Sequence, residues 1–254
     1  MGQVTRREHQ LSLLIRASAI VLLLVLWELA VRLGWIDKLF LAGPIEAALR
    51  LGPVASKVAP DILATLVEFG SAFCIGIALS VTLGFAINQS PYATAVFRPL
   101  LVLGVTVPKV TLLPLFLLWF GIDKTPIIIF GALSGFFPMV VNVMAAGTEV
   151  KPNQLLLARA MGYGRFDILR KVTFPAMLPV LSSGMFYACN AAMMGVFIVE
   201  LGIARQGLGV VVHGYAVTFR TPDLYAAVLL TASITVAINM ALWYLARYFG
   251  RWRR

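Results

Sequence analysis

Charge is scarce in this chain, and acid is scarcest. Only 13% of its 254 residues are Asp, Glu, Lys or Arg, and 11 acids face 21 bases for a net charge of +10. No acidic cluster has the oxygen-rich composition that holds a hard cation. Cys74 and Cys189 both fall inside apolar runs, where a free thiol serves as a small hydrophobe, and they offer neither a metal motif nor a disulfide framework. His9 lies in a polar tail and His213 stands alone in a loop, so no metal site is expected. The phosphate-binding pattern G-x-x-x-x-G-K-[ST] is missing, because the stretch 52–57 lacks the second glycine and a strand–helix context. G-x-S-x-G and H-E-x-x-H are missing too. The chain is therefore read as not an enzyme, with no catalytic residue and no cofactor of its own.

What fills the chain is apolar. Hydrophobic residues make up 60% and the mean hydropathy is +0.91. Runs of about 20 such residues recur, the length at which a helix crosses about 30 Å of hydrocarbon. The period-two alternation of a membrane barrel is absent. The pattern predicts an all-α, polytopic membrane protein with about six transmembrane helices, near 17–33, 62–87, 100–120, 126–146, 176–201 and 224–248. A polar tail, 1–16, precedes a single transmembrane domain, 17–248, and a basic tail, 249–254, follows it. The segment 34–60, broken at Gly43-Pro44, is read as lying partly on the membrane, and 202–223 as a glycine-rich excursion. The first apolar run ends in Trp27, Glu28 and Arg32 with no small-residue cleavage site, so it is read as a retained span.

Six spans leave both termini on one side. That side collects Arg6, Arg7, Arg16, Arg98, the bases of the 151–175 loop, Arg247, Arg251, Arg253 and Arg254, the larger set, and is read as cytoplasmic. The basic excess thus orients the chain against membrane lipid, and no nucleic-acid partner is expected.

Span two carries Ala72, Gly76, Ser80 and Gly84 at four-residue steps, and span four carries Gly131 and Gly135. Such rows let helices approach closely in lipid, and packing within the chain is favoured over a dimer seam. Span three holds Pro108 and Pro114, each of which removes a backbone donor and obstructs the preceding turn. A kinked helix lining a path is the reading, since broken backbone at membrane depth needs protein or a wet cavity around it. Lys109 lies midway along that span, where a lysine costs about 2.5–3.5 kcal/mol and must face the bundle interior or water. It either attracts an anionic solute group or pairs with an acid. Asn142 and Asn190 lie mid-span and need partners. Glu200, near the outer end of span five, pairs with Lys109, caps local backbone or touches the interface. Candidates for the path are Pro108, Lys109, Pro114, Asn190 and Glu200.

Between spans four and five lies 151–175, with Lys151, Arg159, Arg165, Arg170 and Lys171. It reads as helix 153–161, a break at Gly162-Tyr163-Gly164, a second helix 165–172, and a stop at Pro175. Such a loop presents a rigid knob to a cytoplasmic groove, or lies on anionic lipid.

Ala158-x-x-x-Gly162, followed by Val172-Thr173-Phe174-Pro175, resembles the EAA loop of permeases of binding-protein-dependent ABC importers: Glu-Ala-Ala-x-x-x-Gly, nine residues, Ile-x-Leu-Pro. Ala158, Gly162 and Pro175 match, while Leu156 and Leu157 stand where that family has Glu and its first Ala. Leu113-Pro114-Leu115-Phe116-Leu117-Leu118-Trp119-Phe120-Gly121, preceded by Val107-Pro108-Lys109, is similar to the LPLFxLWFG signature of the nitrate, sulfonate and taurine branch. Leu26-Trp27-Glu28, Phe136-Phe137-Pro138 and Gly207-Leu208-Gly209 also fit. The resemblance implies a MetI-like, type I permease in a bacterial cytoplasmic membrane. It implies a cytoplasmic ATPase dimer, which binds ATP and Mg itself and grips Ala158, Arg159, Ala160, Met161, Gly162, Tyr163, Gly164, Arg165 and Pro175. It implies a second, identical permease copy and a periplasmic or lipid-anchored solute-binding protein. The solute would be small and anionic, like a sulfonate, taurine or nitrate, or aromatic or heterocyclic, with a neutral vitamin-precursor-like solute as the alternative. An ion-coupled secondary transporter is the rival reading. It predicts repeated halves with broken helices at matching positions, and the sequence has no such repeat.

Overall fold

A computed structural model describes residues 6–147 and 152–250. Lys151 and the tail bases Arg251, Arg253 and Arg254 lie outside the described residues. The chain is helical throughout: α1 (Arg6–Arg32), α2 (Pro44–Lys57), α3 (Ala59–Asn88), α4 (Pro91–Thr106), a 3₁₀ turn (Lys109–Leu112), α5 (Leu113–Phe120), α6 (Lys124–Gly147), α7 (Pro152–Ala160), α8 (Arg165–Ile168), a π-helical turn (Leu169–Thr173), α9 (Phe174–Ile203), α10 (Leu208–Val217) and α11 (Thr221–Gly250). No strand occurs among the described residues. Five helical stretches are long and apolar enough to cross a membrane, and six if the bent pair formed by α4 and Lys109–Phe120 counts as one.

Three expectations change in detail. Span three does not start near residue 100 as a single kinked helix. Ser90 caps α4 by accepting from the Ala93 N–H at 3.3 Å, with Pro91 in the first turn. Val107 is extended before Pro108, as the residue before a proline prefers, so α4 ends there. The chain resumes at an angle of 88°. The second helix of the central loop is not separate, because α8 runs through the π-helical turn into α9. Pro175 does not stop it, since it sits in the first turn of α9. The 202–223 excursion contains α10, on which His213 is exposed.

The residues group into two compact units. The first comprises the chain up to Ala59 together with Val211–Thr231. In it Glu28 binds Arg32 at 2.6 Å and accepts from the Ile45 N–H at 3.3 Å, tying the end of α1 to the start of α2. The Trp27 and Tyr225 rings lie 5.7 Å apart, and the Thr221 hydroxyl donates to the Leu39 carbonyl.

The second unit comprises Pro60–Val210 with the chain from Ala232 on. Its centre is α6, held between α3 and α9 by small residues. The row Ala72, Gly76, Ser80 and Gly84 is buried along α3. A Cβ on Gly76 would stand 2.9 Å from the Ala132 carbonyl oxygen, so only glycine allows that backbone approach. The Ser80 hydroxyl reaches the Phe136 carbonyl at 2.9 Å. On the other side Gly135 lies against the Ala188 carbonyl, and Gly195 against Ser134. The expected intramolecular use of these rows is what the structure shows. Phe69, Phe116, Phe130, Met193 and Val196 fill one cluster, and Met139, Val143, Met177 and Leu181 another.

Candidate functional site

Within the second unit, the central loop folds into a knob. Helix α7 ends in a Schellman motif: the Tyr163 N–H donates to the Ala158 carbonyl at 3.1 Å and the Gly162 N–H to the Arg159 carbonyl at 3.0 Å. Gly162 takes φ +79°, and a Cβ there would meet nothing within 4 Å, so the glycine is required by conformation rather than space. Ala158 is buried at 3% exposure beneath this turn, whereas Leu157, Met161 and Phe166 stand 62–71% exposed. Arg159, Ala160 and Gly164 are exposed, and the Tyr163 ring is half-buried. Lys171 binds Asp167 at 2.8 Å and places its ammonium 5.0 Å from the Tyr163 ring centroid, which bridges the turn to the helix leading into α9. A cavity of about 340 Å³ opens here, lined by Leu157, Ala158, Met161, Tyr163, Lys171 and Pro175. Arg165 begins α8. The result is a rigid apolar knob with cationic neighbours, the kind of surface a groove accepts.

At the α4 break, the Lys109 ammonium donates to the Val105 carbonyl at 3.3 Å and lies 5.5 Å from the Phe137 ring centroid. A cation at a helix C-terminus and over an aromatic face is favourably placed in both respects. The Thr111 hydroxyl and N–H both donate to the Pro108 carbonyl, at 2.8 and 3.1 Å, which closes the 3₁₀ turn. Pro114 falls in the first turn of α5, where a missing N–H breaks nothing. The two prolines therefore play different parts, and Pro108 alone marks the break.

Glu200 sits elsewhere. It is 1% exposed, and no bond among the described residues joins it to Lys109. Its Oε1 accepts from the Thr65 hydroxyl at 2.7 Å and its Oε2 from the Gly209 N–H at 2.7 Å. Thr65 Oγ1 in turn accepts from the Leu208 N–H at 2.8 Å, and Asp61 accepts from the Gly207 N–H at 3.0 Å. Three side chains near the start of α3 and the end of α9 thus fasten the loop that leads into α10. Gly207 takes φ +124°, and a Cβ there would collide with the Glu200 carboxylate. Backbone capping, one of the sequence-derived alternatives, is what Glu200 does. Glu68, missed by sequence reasoning, is also buried beside Glu200, and its Oε2 has no hydrogen-bond partner among the described residues. It lines a cavity of about 490 Å³ with Asp123, Lys124, Arg205 and Gln206. No local signal marks it, since Glu68 and its neighbour Glu200 are 132 residues apart in the sequence.

Asn142 donates to the Pro138 carbonyl at 2.8 Å, within α6. Asn190 is exposed on α9, donates to the Phe186 carbonyl at 2.9 Å and accepts from Asn239 Nδ2 of α11 at 3.1 Å.

These features define a multi-pass helical membrane protein with an exposed apolar knob between two spans. Residues 76–254 match the family model of the binding-protein-dependent transport system inner membrane component, and the chain belongs to that family. It is the permease subunit of an ABC importer. Such permeases are not enzymes themselves and work with ATPase and binding-protein partners. The chain is 28% identical over 235 residues to the riboflavin transport system permease of Chloroflexus aurantiacus, covering 92% of this chain and 88% of that one. It is 26% identical over 242 residues to the taurine transport system permease of Escherichia coli, with the same coverages. It is 26% identical over 240 residues to a formylaminopyrimidine transport permease of Halalkalibacterium halodurans, covering 92% and 94%. The fold is similar to that in inward-facing structures of the MetNI methionine ABC transporter, with a TM-score of 0.67, 18% identity, and coverage of 78% of this chain and 99% of that one.

Proposed function

We propose that the chain is one of two identical permease copies, with both termini and the 152–173 knob in the bacterial cytoplasm. A separate ATPase dimer, which holds ATP and Mg, receives residues 158–165 and Pro175. A periplasmic or lipid-anchored protein delivers a small organic solute at the opposite end. The observation that carries this reading is the knob: a glycine-locked turn that leaves Leu157, Met161 and Phe166 exposed. With Leu156 and Leu157 in place of an acid and an alanine, the contact to the ATPase is apolar at that position. Lys109 supplies a cation at the helix break and favours a solute with an anionic group, such as a sulfonate.

The test is capture of the cognate ATPase by tagged permease from detergent-solubilised membranes. Gly162→Trp should insert in the membrane as well as the parent and lose most of the ATPase. Undiminished capture would overturn the assignment of the knob. Solute uptake that persists without any ATPase would favour the ion-coupled rival.

A further inference from the structure

Asn190 and Asn239 lie near the middle of two 30-residue helices, with about 20 Å of helix between Asn190 and either end of α9. Their amides meet at 3.1 Å. Both N–H groups of Asn239 are used, one on Asn190 and one on the Thr235 carbonyl at 3.0 Å. Among the described residues that leaves Asn239 Oδ1 as an acceptor without a donor, and the second N–H of Asn190 as a donor without an acceptor, on two joined amides. Asn190 is exposed, and Tyr187 and Met194, one turn to either side of it on α9, are each 65% exposed, as is Met240 at 58% beside Asn239. Hydrocarbon cannot satisfy such a donor and acceptor, and each unmet group there costs several kcal/mol. The face therefore meets water, a polar molecule or a second copy of the chain, and the cross-linking test below separates the last of these. No charged side chain belongs to the group. A phenol ring and two thioethers suit a flat, weakly polar body, and the amides supply orientation.

We propose that Tyr187, Asn190 and Asn239 form a mid-membrane solute-contact site that reads an uncharged donor–acceptor edge, of the amide, imide or ureide kind, on a planar organic solute. The proposal rests on the importer reading and names the substrate chemistry of its path. A sulfonate group and such an edge can belong to one solute, with Lys109 and the amide pair meeting different parts of it.

The first test needs no solute. Tyr187→Cys, Asn190→Cys and Asn239→Cys are each made in a chain carrying Cys74→Ser and Cys189→Ala, assembled with the cognate ATPase in proteoliposomes. Each is then treated with a charged, water-soluble methanethiosulfonate. Leu22→Cys, on an exposed apolar face of α1, is the lipid-facing reference. The three positions should react at least ten-fold faster than Leu22→Cys, and equal rates would overturn the proposal. So would near-complete oxidative cross-linking of Asn239→Cys between two copies, which would make the face a subunit contact. Second, the binding protein is purified with the solute it has captured, and that solute is identified by mass spectrometry. A solute without any donor–acceptor edge overturns the proposal. With a solute that has one, Asn239→Leu should raise the KM for uptake about five-fold, the effect of losing one neutral hydrogen bond, with ATPase capture unchanged. An unchanged KM overturns the proposal, whereas failure of the importer reading shows instead as absent ATPase capture by the unaltered chain.

Discussion

Thr65→Val removes a single hydroxyl and little else. Valine has nearly the same shape, and Thr65 is fully buried, so packing is preserved. The hydroxyl, however, joins two groups: it donates to Glu200 at 2.7 Å and accepts from the Leu208 N–H at 2.8 Å. Leu208 is itself 1% exposed, so its N–H finds no water when the hydroxyl is gone. Leaving a buried group unmet costs about 1–3 kcal/mol, and more for a charged one, so the pair together costs about 3–5 kcal/mol. At a few degrees per kcal/mol, the melting temperature should fall by roughly 10 °C. Melting of the purified permease in detergent, followed by tryptophan fluorescence, measures this. Trypsin supplies a local readout, because the exposed Arg205 lies in the fastened loop and should be cleaved faster in the variant. Thr65→Ser keeps the hydroxyl, loses one methyl worth about 1 kcal/mol, and should melt close to the parent with Arg205 still protected. A Thr65→Val protein that melts within 2 °C of the parent, with unchanged cleavage at Arg205, would refute the role given to this hydroxyl.

Gly76→Val should destabilise by about 3 kcal/mol or more, because the added atoms meet the Ala132 backbone and cannot be absorbed by a flexible side chain. Gly70→Ala in the same helix, where a Cβ meets nothing within 4 Å, should be neutral or stabilise by up to about 1 kcal/mol, and detergent melting curves compare the two directly. Lys109→Met should lower solute uptake several-fold while ATPase capture is retained; equal uptake would retire any electrostatic role for that ammonium.

The fold was legible where long apolar runs meet proline and glycine. Four of the six expected spans agree with α3, α6, α9 and α11 to within a few residues, because twenty-odd apolar residues have one stable use in lipid. The start of α4 was not legible, since Arg98 and the turn-like Ser90-Pro91 read as a loop, whereas Ser90 is a helix cap. Helix α10 was missed because its ten residues, interrupted by Gly209, His213 and Gly214, are too few to suggest a span. The turn at Gly162 was legible because positive φ is written in the residue type. The environment of Glu200 was legible only as a set of alternatives. Gly209 lies nine residues on, but Thr65 and Glu68 come from α3, and nothing near Glu200 points to either.

Phe166–Ile203 runs unbroken for 38 residues, about 57 Å of helix. Its waist is pressed against α6 by the close contacts of Gly135, Gly184 and Gly195. Were it to tip by about 10° about that waist, each end would swing by roughly 5 Å in opposite senses. A nudge delivered beside Tyr163 would then arrive, reversed, near the carboxylate of Glu200.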